Sequence, residues 1–172
     1  MKKSVLFLIF AAFSATAFSQ KFAMVDMDYI LKNIPSYESA NDQLSQLSAR
    51  WQKEVEAKLA EIETMRRNYQ TELVFLSAEM KKQREDEIIA AENETNALKR
   101  KYFGPEGELF KKREALVKPI QDEIYNAVQE LCNSKGYQLI LDKKSSSGIV
   151  FAAPKIDVSD DVLQQMGYSV SK

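Results

Sequence analysis

Between Ser36 and Phe103 the chain contains neither glycine nor proline. Its five glycines and four prolines all lie outside that stretch. These are the residues that most strongly break helices, and Glu, Lys, Arg, Gln, Ala and Leu fill their place. The run is far longer than an ordinary globular helix of roughly 8–20 residues. It predicts either one rod of ~100 Å or a hairpin of two arms of ~50 Å each. Histidine is missing altogether, which removes the commonest general base and the commonest metal ligand. No glycine-rich loop that could cradle a phosphate is present, so ATP use is not expected. Cys132 is the only cysteine, which excludes an intrachain disulfide. It lies beside Leu131 in an apolar helical pattern, where a buried, inert thiol is expected. Neither an enzyme nor a cofactor or metal site is expected from this inventory.

What is present begins with an export signal. Lys2 and Lys3 precede an uncharged apolar run, Val5 to Phe13, and small residues follow at Ala15, Ala17 and Ser19. This pattern reads as a signal peptide over residues 1–19, cleaved between Ser19 and Gln20. The apolar core is too short for a bilayer span of ~20 residues. Without Lys2 and Lys3, the 24 basic residues become 22 against 25 acidic ones, a net charge of −3. That balance does not suit a nucleic-acid binder.

Lys21 to Asp26 alternates weakly and reads as a strand, with a helical turn at Tyr29, Ile30 and Leu31. Pro35 suits the first turn of the long helix. Its apolar stripe runs through Tyr37, Ala40, Leu44, Leu47, Trp51, Val55, Leu59, Ile62, Tyr69, Leu73 and Leu76, mostly in steps of three or four. Glu54 with Lys58 and Glu63 with Arg67 are expected i,i+4 pairs on the solvent side. At Leu73-Val74-Phe75-Leu76 the stripe becomes a block, and Ser77 with Glu79 reads as a new N-cap and first turn. A hairpin tip is placed there, although a continuous rod also satisfies the pattern. The returning stripe is thinner: Met80, Ile88, Ala91, Leu98 and Tyr102. Gly104-Pro105-Glu106-Gly107 then interrupts the arm.

A further helix carries Leu109, Leu116, Ile120, Ile124, Val128 and Leu131, and Lys135-Gly136 signals its end. Tyr137 to Asp142 reads as a strand, Lys143 to Gly148 as a turn and Ile149 to Ala153 as a second strand, which together predict a hairpin. Ser159-Asp160-Asp161 is expected to cap a short helix, Val162 to Met166, ended by Gly167. Three short strands and a small helix bury too little apolar surface to stand alone, so an oligomer is expected.

These residues together resemble one family. The signal peptide, Val25-Asp26-Met27-Asp28, the charged hairpin, Leu116-Val117-Lys118-Pro119-Ile120, Lys135-Gly136-Tyr137 and Leu141-Asp142-Lys143 carry the likeness. Gly148-Ile149-Val150-Phe151 and Asp157-Val158-Ser159-Asp160-Asp161-Val162-Leu163 complete it. The chain is similar to the Skp (OmpH-like) family of periplasmic outer-membrane-protein chaperones, and the stretch from Leu116 to Leu163 is the most specific part. The resemblance implies an α+β, mostly α fold: a long helical hairpin arm on a small β body, in a trimeric jellyfish-like assembly. It implies a periplasmic holdase that works without nucleotide. Unfolded outer-membrane β-barrel proteins would be its partners, held in a cavity between the arms. Family members known best are strongly basic. This chain is slightly acidic, which argues against direct contact with lipopolysaccharide or anionic membrane.

On this reading the domains are the signal peptide, 1–19, a β-containing oligomerisation body with the arm base, 20–35 and 104–172, and the arm, 36–103. The candidate client contacts are Tyr69, Leu73, Phe75, Leu76 and Met80. Candidates for the oligomerisation body are Met24, Val25, Leu139, Leu141, Ile149 and Phe151. The alternative is a structural coiled-coil spacer or scaffold of the cell envelope. The strands and capped helix near the C-terminus speak against it, because a spacer needs no such body.

Overall fold

The computed structural model describes residues 21–145 and 148–169. The expected signal peptide lies outside them. In chain order the elements are β1 (Lys21–Val25), α1 (Met27–Lys32), α2 (Pro35–Glu72), α3 (Ala78–Phe103) and α4 (Glu108–Lys135). Then follow β2 (Tyr137–Asp142), a 3-10 turn (Pro154–Ile156) and α5 (Ser159–Gln165). The chain is mostly helical, with a small sheet and a long helical hairpin. It divides into two compact units, Met1–Asn33 with Ile124–Lys172, and Ile34–Glu123.

In the second unit, α2 starts with a proline at its first turn, where the missing N–H costs nothing. With 38 residues it is roughly 57 Å long at ~1.5 Å per residue. It packs along α3 to make the hairpin. Ala40, Leu44, Val55 and Ile62 of the stripe are buried, as are Ile88 and Thr95 on α3. Leu59 stays largely exposed. Among the described residues, the expected pairs give way to other partners. Lys58 pairs with Glu61 at 3.4 Å, and Glu54 accepts from the Tyr102 hydroxyl at 3.0 Å. Trp51 stacks on Tyr102, with ring centroids 4.8 Å apart and planes 5° from parallel, and Phe103 meets both edge-on.

The arm break falls at Gly104, whose N–H donates to Arg100 O at 2.9 Å while its backbone turns extended. A Cβ there would lie 2.4 Å from the same carbonyl oxygen, so a side chain cannot be accommodated without movement. Pro119 stands inside α4, which runs on past it.

In the first unit, β1 and β2 pair in parallel, with Phe22 opposite Leu139, Ala23 opposite Ile140 and Met24 opposite Leu141. Ala23, Met24 and Val25 are buried, together with Ile30, Leu31, Ile124, Ala127, Leu131, Val158, Val162 and Leu163. α1 packs against α5. Asp26 caps α1 by accepting the Tyr29 N–H at 3.0 Å. Gly136 ends α4 with φ +73°, a left-handed turn that suits glycine. Cys132 is half-buried, more open than its apolar setting predicts.

The expected strand at Ile149 to Ala153 is not formed, and the sheet has two strands. β1 has no edge to offer it. Its other edge is taken by Asp157 and Val158: Met24 bridges Asp157 in parallel, and the Val158 N–H donates to Met24 O at 2.8 Å. At the end of β2, the Asp142 carboxylate accepts the N–H of Lys144 at 3.4 Å and of Ser145 at 3.1 Å, turning the chain away. The last helix also begins earlier than expected. Ser159 lies inside its first turn, and its hydroxyl serves β1 instead of capping.

Two substitutions test these readings. Gly136→Ala should cost about 1–2 kcal/mol, the left-handed penalty of a side chain, because no atom crowds that position. Gly104→Ala should destabilise through the clash with the Arg100 carbonyl. Thermal melts followed by circular dichroism should show both losses.

Candidate functional site

The hairpin tip is built from local signals. The Phe75 N–H donates to Glu72 O at 2.8 Å and closes α2. Ser77 is extended, and its hydroxyl accepts the Met80 N–H at 3.3 Å to open α3. The apolar block between them is therefore held in a turn, where no neighbouring helix covers it. Val74 is 82% exposed, Phe75 86% and Met80 50%. Leu73 and Leu76 are half-buried. Tyr69 is half-buried and its hydroxyl donates to Glu85 on the opposite helix. That bond raises the Tyr69 phenol above its ordinary range. The five residues thus divide into two exposed side chains, two partly covered ones and one engaged in the hairpin. Val74 belongs with the exposed pair. It was legible as part of the four-residue apolar block and falls outside the helical stripe.

Below the tip, Arg66 of α2 donates to Glu92 of α3 through Nε at 3.0 Å and through Nη2. The hydrogen bond to Glu92 holds the guanidinium above its ordinary range. Arg84 reaches Glu72 at 3.8 Å and Glu87 at 3.3 Å. A groove of about 370 Å³ opens beside the Arg66 pair, lined by Leu59, Ile62, Glu63, Arg66, Glu92, Thr95 and Asn96. Thr95 explains it. A small residue occupies a seam position between Ile88 and Tyr102, and its hydroxyl donates to Ala91 O at 2.8 Å.

The first unit also carries exposed apolar side chains. Phe22 is 51% exposed, and its register partner Leu139 is likewise open. Val150 and Phe151 stand almost entirely in solvent, whereas Leu141 and Ile149 are half-buried. Met24 and Val25 are buried inside this chain, so their side chains serve its own core.

A polar network joins β1 to the segment before α5. The Asp26 N–H donates to Ser159 Oγ at 2.8 Å, and that hydroxyl donates to Asp157 at 2.6 Å. Lys143 pairs with Asp157 and Lys144 with Asp28. Partial burial of Asp157 opposes its ionisation. Lys143 and the hydroxyl and N–H of Ser159 outweigh that burial, so its carboxyl sits below the ordinary range. Asp142 is held low in the same way: burial is overcome by the N–H of Met27 and by Ser145 and Lys144.

Both carboxylates have folded values below their unfolded ones. Their contribution is complete above the unfolded value and lost as pH falls through the folded one. Amide exchange of β1 and β2 in the full chain should therefore accelerate as pH drops below about 4, after correction for intrinsic exchange. Asp142→Asn with Asp157→Asn should flatten that dependence.

A family model described as outer membrane protein (OmpH-like) matches residues 21–166. Among solved structures, the chain is similar to one from Caulobacter crescentus described as an OmpH-like outer membrane chaperone. The TM-score is 0.67 at 10% identity, covering 86% of this chain and 84% of that one. No curated protein matches the chain.

Proposed function

The chain belongs to the OmpH-like family, and on that premise we propose that it is an ATP-independent holdase for unfolded outer-membrane β-barrel proteins. The observation that carries this reading is the apolar turn Leu73–Leu76, with Val74 and Phe75 held open to solvent at the end of a helical hairpin. An unfolded barrel exposes alternating apolar strands and unpaired edges. Helical walls offer it apolar contacts without a strand edge to pair with. Many weak contacts would hold such a chain without imposing a conformation.

In this proposal the arm is residues 36–103, and the body is 20–35 with 104–172. The signal peptide, 1–19, delivers the chain to the periplasm. The family model, and the structural neighbour described as an OmpH-like outer membrane chaperone, support a chaperone role. The client contacts are Leu73, Phe75, Leu76 and Met80, with Val74 added and Tyr69 contributing its ring. The working form is a homotrimer. Exposed Phe22, Leu139, Val150 and Phe151 supply its apolar contacts, with Leu141 and Ile149 beside them. Met24 and Val25 support the body from within. Among the described residues β2 is paired only with β1, so its outer edge is open to further pairing.

The test is light scattering of a urea-unfolded outer-membrane β-barrel protein diluted into buffer with this protein and no nucleotide. Suppressed aggregation, saturating near three chains per client, is the expected result. Val74→Ser with Phe75→Ser, and Phe75→Ser with Met80→Ser, should each weaken suppression several-fold at unchanged molar mass. Unchanged aggregation across several barrels at excess protein would move the envelope scaffold to first place.

A further inference from the structure

Ile88, Thr95 and Tyr102 follow one another at seven-residue spacing and share one face of α3. Ile88 is buried, and Tyr102 fills its place in the seam with a ring stacked on Trp51. Thr95 is buried as well, at 2% exposure, yet a hollow of about 370 Å³ opens beside it. The next seam position of the same arm therefore holds a ring where this one holds a space. That volume is at the small end of ligand pockets, roughly 300–1,000 Å³, and suits one side chain better than a folded segment.

The lining tells which side chain. Leu59 and Ile62 give it apolar surface, and Leu59 remains 42% exposed. Thr95 adds little polarity, because its hydroxyl proton is spent on Ala91 O at 2.8 Å. Arg66 Nε and Nη2 both donate to Glu92 Oε1, so two bonds fix the guanidinium plane. The Arg66 side chain is still 58% exposed. A fixed and partly open guanidinium beside apolar side chains is what an aromatic ring complements. The ring buries its body against Leu59 and Ile62 and offers its π face to the cation.

We propose that the hollow at Thr95 is a receptor for one aromatic side chain of an extended chain lying along the arm. Outer-membrane barrel strands carry aromatic residues at both membrane interfaces and alternate apolar with polar side chains. An unfolded barrel therefore offers rings at intervals. The polar residues beside each ring can meet Glu63, Glu92 and Asn96, which complete the lining. Only the source of the ring is taken from the holdase reading. An aliphatic side chain of the same size would fill the space without gaining the contact to Arg66.

The test uses the full chain and short fluorescein-labelled peptides that alternate apolar and polar residues. One peptide carries Phe at its centre, and the other carries cyclohexylalanine, which has a similar size and no π face. Fluorescence anisotropy gives the affinities, and circular dichroism melts follow the fold. The parent should bind the Phe peptide several-fold more tightly than the cyclohexylalanine peptide, and Arg66→Gln should bind the two alike. Thr95→Leu fills the hollow, so its melting temperature should rise while both peptides bind several-fold more weakly. General apolar adhesion would give the opposite result, since a leucine adds apolar surface. Unchanged or tighter binding by Thr95→Leu would overturn the proposal, as would equal affinity of the parent for the two peptides. A fall in molar mass on Thr95→Leu would assign the hollow to a second copy of the chain and overturn it too. Failure of the holdase reading would show separately, as unsuppressed aggregation of whole barrels.

Discussion

The parallel pairing of β1 with β2 is the constraint on which the rest depends. Parallel strands cannot be joined by a tight turn and need a crossover connection. In most folds one helix serves. Here the crossover runs from α1 through α4 and contains the entire hairpin. The entropic cost of so long a crossover is modest, because closure cost grows only with the logarithm of length. Extending a crossover from ~12 to ~110 residues adds about 2 kcal/mol. The small sheet can carry the arm because β1, the strand that leads into it, is held on both sides. β1 is bonded on one side to β2 and on the other through Met24 to Asp157 and Val158. Ser159 ties the same strand end through its hydroxyl.

Features governed by neighbouring residues were legible in the sequence. Pro35 opens the long helix, Ser77 caps the returning one, Gly104 interrupts it and Gly136 ends the next. Each depends on backbone conformation within a few residues. The strand at Ile149 to Ala153 failed because the Asp142 carboxylate turns the chain away at the end of β2, and local composition does not say where a turn aims the residues that follow. The outer edge of β1 is taken instead by Asp157 and Val158, and no periodicity marks them as strand residues.

The arm was legible as a stripe, and its weak point was not. Thr95 reads as one more polar residue on a charged helix, yet it is buried at 2% exposure and leaves the hollow beside Ile62. Only the facing residues of the second helix reveal that a larger side chain is missing there. Likewise, Glu54 was expected to pair along its own helix, but the Tyr102 hydroxyl reaches it from across the hairpin. Same-helix spacing is visible in a sequence, whereas the register between two helices is set by packing. At the tip, Val74 was passed over because it left the stripe, and leaving the stripe is what exposes it.

The crossover also dictates an order of events in time. β1 precedes its partner by more than a hundred positions. As the chain emerges, Phe22 to Val25 has no strand to pair with until α1 to α4 and β2 have been made. The hairpin is local and can close meanwhile, because the tip joins helices separated by only a few residues. The nascent molecule therefore passes through a stage with its arm formed and its first strand unpaired. A protein in that stage carries the same liability, an apolar strand without an edge, that its proposed clients carry.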